Sequence, residues 1–299
     1  LGGICLNWGC IPTKALLKSA SVFEYIKHAA DYGITVKGAE ADFSAVIARS
    51  RGVADSMSKG VQFLMKKNKI DVIMGFGKIQ PGKKVEVTDA EGKKTVYDGK
   101  NIMIATGARA RALPNVPIDG EKVIEYRKAM SLEKRPDSLV IIGSGAIGVE
   151  FAYVYAAMGT KVTIVEFLPN IVPVEDEDVS KELAKQYKKM GIDILTSSSV
   201  ESVDTKGKGC KVSIKTPTGN TEIQCDIVLS AAGVICNLEN IGLEEVGIIV
   251  DKGRIPVNAW YETNMPGYYA IGDVTPGPAL AHVASAEGII CVEKIAGHK

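Results

Sequence analysis

"VIIGSGAIGVE", residues 140–150, decides how this chain folds. Gly143, Gly145 and Gly148 stand in the G-x-G-x-x-G spacing, after an apolar β-branched run and before a run of helical apolar spacing. Glycines at this spacing also occur by chance in turns, so the context has to carry the reading. Here a second apolar run, "KVTIVE", follows and ends in Glu166. Strand, glycine turn, helix and a second strand closed by an acid form the dinucleotide-binding arrangement. In it Gly143 permits the tight turn, Gly145 lets the backbone approach a pyrophosphate, and Gly148 lets helix and strand pack closely. The helix N-terminus adds amide donors and a partial positive charge. Glu166 is expected to accept hydrogen bonds from the adenosine ribose hydroxyls and to repel a 2′-phosphate, which favours NAD over NADP. The bland alternative for Glu166 is a surface carboxylate at a strand end.

Outward from this motif the pattern repeats. Strand "SLVIIG", helix "AIGVEFAYVYAAMG", strand "KVTIVE", helix "EDVSKELAKQYKKMG" and strand "DILTSSSV" alternate, which predicts a parallel sheet covered on both faces. From Glu201 to Ser230 short alternating runs with Lys-Gly and Thr-Gly turns predict an antiparallel excursion that returns at "DIVLSAAG". Upstream, a helix is expected from Pro12 to about Tyr32, stopped by Gly33. A second is expected over 43–67, with Val46, Ile47, Val53, Met57, Val61, Leu64 and Met65 as its buried stripe. Then come a strand in "DVIMGFGKI", a hairpin turning at Asp89 to Gly92, a strand in "NIMIATGA" and a linker marked by Pro114 and Pro117. The tail holds a strand, "GYYAIGD", and a helix, "ALAHVASAEGIICVEKIAG".

A chain of 299 residues, 46% hydrophobic, can fill the cores of two domains. Its 36 basic and 35 acidic side chains nearly cancel, so there is no overall field for nucleic acid or an anionic membrane. The apolar stretch 139–159 carries Glu150 and the motif glycines, which fits strand, turn and helix better than a membrane span. Six cysteines are too sparse for a secreted disulfide scaffold and point to a reduced, cytoplasmic setting.

Two of those cysteines, Cys5 and Cys10, lie in "GGICLNWGCIP". No metal is expected on them, because structural zinc takes tighter pairs and two further ligands, and His28, His282 and His298 are remote in sequence. On an ideal helix residues five apart have Cα atoms about 8.6 Å apart, beyond the roughly 7 Å limit for a disulfide. A bridge therefore requires the backbone to leave a regular helix, and Asn7 and Gly9, both poor helix residues, lie between the cysteines. Pro12 suits the first turn of a helix, which places Cys10 near a positive dipole end, and Lys14 adds a cation. Both favour thiolate, although two inert buried thiols remain an alternative on these residues alone.

"GGICLNWGCIPTKALL" resembles the redox-disulfide signature of the flavin disulfide reductases, and within that family the dihydrolipoamide dehydrogenases. "GFGKI", "IMIATGARARALP", "GSGAIGVEFAYVYAAMGTKVTIVE", "ETNMPGYYAIGDV" and "PALAHVASAEG" follow in the family's order, so the resemblance covers essentially the whole chain. It implies two Rossmann-like dinucleotide-binding domains in an α/β fold: residues 1–112 for FAD, 113–237 for NAD, and 238–299 returning to the FAD domain. By the resemblance Cys5 is the interchange thiol that meets dihydrolipoamide and Cys10 the charge-transfer thiol against the flavin. Lys14 lies by the flavin and pairs with Glu150, as a buried cation would need. Gly77, Thr106, Gly107, Asp273 and Ala281 are expected at FAD, and Val200 and Gly233 beside NAD. His282 is expected to be a helix residue near the flavin.

The resemblance also exposes departures. Family members begin with their own FAD-binding G-x-G-x-x-G unit and end in an interface domain whose His-Glu pair serves the thiols. This chain carries neither, so by itself it is expected to be inactive. The full-length form is expected to be a homodimer that serves lipoyl domains of 2-oxo acid dehydrogenase or glycine cleavage complexes. "AAGVICN" stands where relatives carry Arg and Pro, which leaves Cys236 unassigned. The alternatives are a non-catalytic NAD-binding fragment, or a sister reductase of the glutathione or mercuric type.

Overall fold

The computed structural model describes residues 1–298; Lys299, the last residue of the expected 238–299 segment, lies outside the described residues. The chain opens with two helices, α1 (Gly3–Trp8) and α2 (Cys10–Lys27), separated by Gly9. The long run after Pro12 ends sooner than expected: α2 gives way at His28 to a 3-10 turn, Ala29–Tyr32, which Gly33 closes with φ 72°. Asp42 then caps α3 (Phe43–Lys67), its Oδ1 accepting from the Ala45 amide at 3.0 Å. Only the first half of the α3 stripe is buried, at Phe43, Ile47, Ser50 and Ala54. Met57 and Leu64, expected inside, are exposed, because the stripe keeps its phase along α3 while only its N-terminal part is packed.

Next come β1 (Phe76–Gln80), β2 (Lys84–Thr88) and β3 (Lys94–Asp98), joined antiparallel. Residues 71–74 form no strand, so the expected strand in "DVIMGFGKI" begins only at Phe76. The hairpin turns where expected, with Asp89 Oδ1 accepting from the Glu91 and Lys93 amides. The chain continues through β4 (Ile102–Ile104), β5 (Ala108–Ala110), β6 (Val123–Ile124) and the short α4 (Tyr126–Ala129). It then runs through β7 (Ser138–Ile142), α5 (Ala146–Ala157), β8 (Lys161–Val165), α6 (Glu177–Lys189) and β9 (Asp193–Leu195). The antiparallel excursion is β10 (Ser199–Asp204), β11 (Cys210–Thr216) and β12 (Gly219–Cys225), and β13 (Ile227–Ser230) returns to the sheet. The chain ends in β14 (Val234–Cys236), β15 (Tyr268–Ala270) and α7 (Ala281–Ile295).

Two compact units result. The first, residues 1–62 and 110–233, is built on a parallel sheet in the order β6-β13-β7-β8-β9. Strand β6 follows the linker marked by Pro114 and Pro117, where two apolar residues are too few to signal a strand. The stretch "DILTSSSV" divides between β9 and β10, which belong to different sheets. Helices α5 and α6 both cover one face, because successive right-handed crossovers that advance in one direction put their helices on one side. Leu139, Ile141, Val162, Ile164 and Leu229 face that helical side, while Val140, Ile142, Val165 and Val228 face a second core closed by β10, β11 and β12. Both faces are thus covered, as expected, but the second by strands rather than helices.

The second unit, residues 63–109 and the described residues from 234 onward, holds the β1-β2-β3 sheet and the parallel pair β4-β15, packed on Ile79, Ile104, Leu243, Ile255 and Tyr268. Among the described residues no helix is long and apolar enough to cross a membrane.

In the first core Tyr155 is fully buried against Phe43 and Phe151, and its hydroxyl donates to the Ala129 carbonyl at 2.7 Å. Burial raises this phenol above its ordinary pKa, so it stays a donor at all working pH values. Tyr155→Phe leaves that carbonyl unpaired and should cost about 1–3 kcal/mol in urea unfolding; an unchanged midpoint would show that the carbonyl finds another partner.

Candidate active site

Cys5 and Cys10 are joined in a disulfide with their Cα atoms 4.6 Å apart. The backbone departs from a regular helix as the spacing requires. Cys5 lies in α1, Cys10 is the first residue of α2, and Gly9 breaks the helix between them with φ −136° and ψ −117°. A Cβ on Gly9 would stand 3.0 Å from the Cys5 Cα and 3.1 Å from the Ile4 carbonyl oxygen, so a side chain here would press on the backbone of α1. Thr13 donates through both its amide and its hydroxyl to the Gly9 carbonyl and fixes the start of α2. Cys10 is exposed and Cys5 half-buried.

The small disulfide-bearing helix is held from α3. Arg51 donates to the Asn7 carbonyl at 2.7 Å and stacks its guanidinium 3.9 Å from the centre of the Trp8 ring. The Asn7 amide in turn donates to the Leu1 and Gly3 carbonyls. Neither Arg51 nor Trp8 is singled out by the sequence, since their pairing depends on how α3 lies against α1.

Lys14, one turn into α2, reaches Glu150 of α5 at 2.5 Å. The expected contact with Glu150 is present, and the Lys14 side chain is 63% exposed. Two further contacts run along the same helices. Ser21 meets Tyr153 at 3.4 Å, and Lys27 donates to the Ala157 carbonyl at 3.0 Å.

Glu150 lies in the second turn of α5, and the first turn of α5 is the glycine loop. Gly143 has φ 98°, and a Cβ there would stand 2.6 Å from the Ala231 carbonyl oxygen. Gly145 is extended at the helix N-cap, with nothing within 4 Å of where its Cβ would be. A Cβ on Gly148 would stand 2.1 Å from the Gly143 carbonyl oxygen, so the close approach is between helix and loop, with Ile141 of the strand next at 3.4 Å. Gly233, two residues past Ala231, has φ 100° and an open Cβ position.

Glu166 is buried, not a surface carboxylate. One oxygen accepts from both the amide and the hydroxyl of Ser144, at 2.8 and 2.6 Å, and the other accepts from the Leu168 amide at 2.8 Å. One acceptor position remains for a ligand hydroxyl. Ser144, the residue between the first two motif glycines, is thus a part of the site that spacing alone does not reveal. Val200 is placed differently: its side chain is in the second core and its carbonyl accepts from Asn115.

The remaining candidate residues fall in the second unit. Thr106 and Asn237 exchange two hydrogen bonds, and the Gly107 carbonyl accepts from the Asn237 amide. Arg109 spans Asn237 and Glu239 and holds the Glu239 carboxyl down to about 2. Gly107 has φ 68° with open space at its Cβ position, Gly77 lies in β1, and Ala281 is the first residue of α7, followed by His282. Asp273 sits in a short 3-10 turn whose Gly272 amide donates to buried Glu287 at 2.5 Å, and whose Asp273 carbonyl accepts from the Cys236 thiol at 3.1 Å. Among the described residues no group of three His, Cys, Asp or Glu is placed to hold a metal ion.

A disulfide at a helix start and a dinucleotide loop on the neighbouring helix can be compared with known proteins. The sequence profile of the pyridine nucleotide-disulphide oxidoreductases matches residues 1–288. The chain belongs to that family. It is 46% identical over 298 residues to a dihydrolipoyl dehydrogenase of Zymomonas mobilis and 44% identical over 316 residues to one of Rhizobium etli. Each alignment takes in 99% of this chain but 64% and 65% of the relative, so the chain spans about two thirds of the length of these relatives, just under that fraction. Among solved structures, LpdA of Mycobacterium tuberculosis superposes with a TM-score of 0.92 at 27% identity, covering 100% of this chain and 65% of that one. The flavoprotein disulfide reductase RclA of Escherichia coli superposes at 0.85 and 27%, covering 100% and 63%.

As a pyridine nucleotide-disulphide oxidoreductase, the chain has the α/β fold of the flavoprotein disulfide reductases, with its parallel sheet and glycine loop in the first unit. The loop's tolerance is narrow. Gly148→Ala forces helix and loop apart and should cost about 1–3 kcal/mol in urea unfolding; a wild-type midpoint would show that the loop can shift freely.

Proposed function

We propose that this chain is the FAD- and NAD-binding portion of a dihydrolipoamide dehydrogenase, which oxidises dihydrolipoamide to lipoamide with NAD as the final acceptor. The observation that carries the reading is the Cys5–Cys10 disulfide at the start of α2, tied by Lys14 to the helix that opens on the dinucleotide loop. The names of the relatives from Zymomonas mobilis and Rhizobium etli support the substrate. Residues 1–112 and 238–299 are assigned to FAD and residues 113–237 to NAD.

The residues present fit both cofactors. Gly145 leaves open space at a helix N-terminus for a pyrophosphate, and Glu166 keeps one acceptor position for a ribose hydroxyl. Gly107, beside the Thr106–Asn237 pair, offers a similar opening in the second unit, where Gly77, Asp273 and Ala281 are the other FAD residues. Gly233, two residues past the Ala231 carbonyl that crowds Gly143, is the other residue assigned to NAD, and Val200 would contribute backbone only.

The chemistry begins at sulfur. A dihydrolipoamide thiolate attacks the Cys5 sulfur, a mixed disulfide forms, and Cys10 leaves as thiolate. The second lipoyl thiol, as thiolate, attacks its partner sulfur, closing the lipoamide ring and releasing the Cys5 thiolate. Cys10 is suited to the leaving role because the first residue of α2 sits at the positive end of the helix dipole, with Lys14 one turn on. FAD, when bound, would supply the electron acceptor for the thiols and the hydride chemistry toward NAD. Glu166, held by Ser144 and Leu168, keeps a negative charge where a 2′-phosphate would sit and so favours NAD. The full-length protein is read as a cytoplasmic homodimer serving lipoyl domains of 2-oxo acid dehydrogenase or glycine cleavage complexes.

In the full-length protein Cys5→Ser should abolish lipoamide turnover while the flavin absorption band is retained; wild-type rates in that variant would end the relay assignment. Glu166→Ala should narrow the preference for NAD over NADP by about tenfold or more, as loss of one charge-assisted contact implies. An unchanged ratio of kcat/KM values would remove Glu166 from the ribose site.

A further inference from the structure

The three-stranded sheet of the first unit carries two cysteines that the thiol relay does not use. Cys210 is the first residue of β11, Cys225 the last of β12, and the two are direct partners in the antiparallel register. Directly opposed residues of such a pair have Cα atoms about 4.5–5.5 Å apart, inside the roughly 4.4–6.8 Å that a disulfide spans. Both side chains are buried, and the two thiols interact with one another. The backbones are also drawn together here: a Cβ on Gly209 would stand 2.4 Å from the Cys225 carbonyl oxygen.

We propose that Cys210 and Cys225 are a second redox couple, independent of Cys5–Cys10, which closes to a cross-strand disulfide when the protein meets hydroperoxides. The step balances with the peroxide as oxidant. One thiol takes a peroxide oxygen to become a sulfenic acid, and water or an alcohol leaves as the O–O bond breaks. The second thiol attacks that sulfur, the S–S bond forms and water leaves, so two electrons pass from the thiols to the peroxide.

Several features make this a slow latch rather than a fast sensor. Burial pushes both thiols up, that of Cys225 to about 12, so at neutral pH they stay protonated and weakly nucleophilic. Oxidation therefore proceeds through opening of the hairpin end, and β12 is the outer strand of its sheet. The couple lies where β12 runs into β13. There the Asp226 carboxylate accepts from the Ser138 amide and hydroxyl at 2.8 and 3.0 Å, at the start of β7. The glycine loop follows the other end of β7.

The test is to expose the folded protein to hydrogen peroxide, denature it, block free thiols with N-ethylmaleimide and map the cysteines by mass spectrometry. The expected result is a peptide pair linked through Cys210 and Cys225, joint loss of both from the maleimide-labelled fraction, and reversal by dithiothreitol. Oxidised wild-type protein should also melt about 5 °C higher. The linked pair should persist in Cys5→Ser and vanish in Cys225→Ser. Full maleimide labelling of both cysteines after prolonged exposure would overturn the proposal. So would their conversion to sulfinic or sulfonic acids without the linked pair, or a linked pair that requires Cys5. The wild-type map decides the matter even where a variant fails to fold.

Discussion

The packing of α2 along α5 is the constraint on which the first unit depends. Lys14–Glu150, Ser21–Tyr153 and Lys27 on the Ala157 carbonyl mark three successive levels of that contact. The N-terminal end of α2 carries the disulfide and that of α5 carries the glycine loop, so one helix pair sets the geometry of both chemistries. An exposed ion pair such as Lys14–Glu150 contributes little to stability. Its value here is positional, and the apolar contacts around Leu16, Ala20 and Phe151 supply the energy.

The placement of α5 and α6 on one face follows from chain chirality rather than from side-chain chemistry. The strands β7, β8 and β9 advance in one direction, so right-handed connections leave the opposite face bare. The chain covers it by sending β10, β11 and β12 across before β13 returns on the other side of β7. Alternating burial in β11, with Cys210, Val212 and Ile214 inward, shows one face of that small sheet closing the core.

Much of this was legible from periodicity. The 3.6-residue pattern gave α3 its bounds, and apolar runs between turn residues marked β7, β8 and β13. The glycine spacing and Glu166 located the dinucleotide loop, and the spacing of Cys5 and Cys10 required the break that Gly9 supplies. What stayed hidden depends on contacts between distant segments. No local pattern shows that Ser144 occupies two of the acceptor positions of Glu166, that Arg51 stacks on Trp8, or that Cys210 faces Cys225 across a strand pair. The exposure of Met57 and Leu64 is of the same kind, since an apolar stripe states which face seeks cover but not how far the cover extends.

The position of Trp8 has an optical consequence. The chain has two tryptophans, and this one lies inside the ring closed by Cys5 and Cys10, against the Arg51 guanidinium. The other, Trp260, lies in the second unit near Lys294. Opening the ring would free the backbone that carries Trp8 and alter the field around its indole. The protein thus carries one of its two indoles inside the very ring that its active thiols close, where emission should respond to their oxidation state.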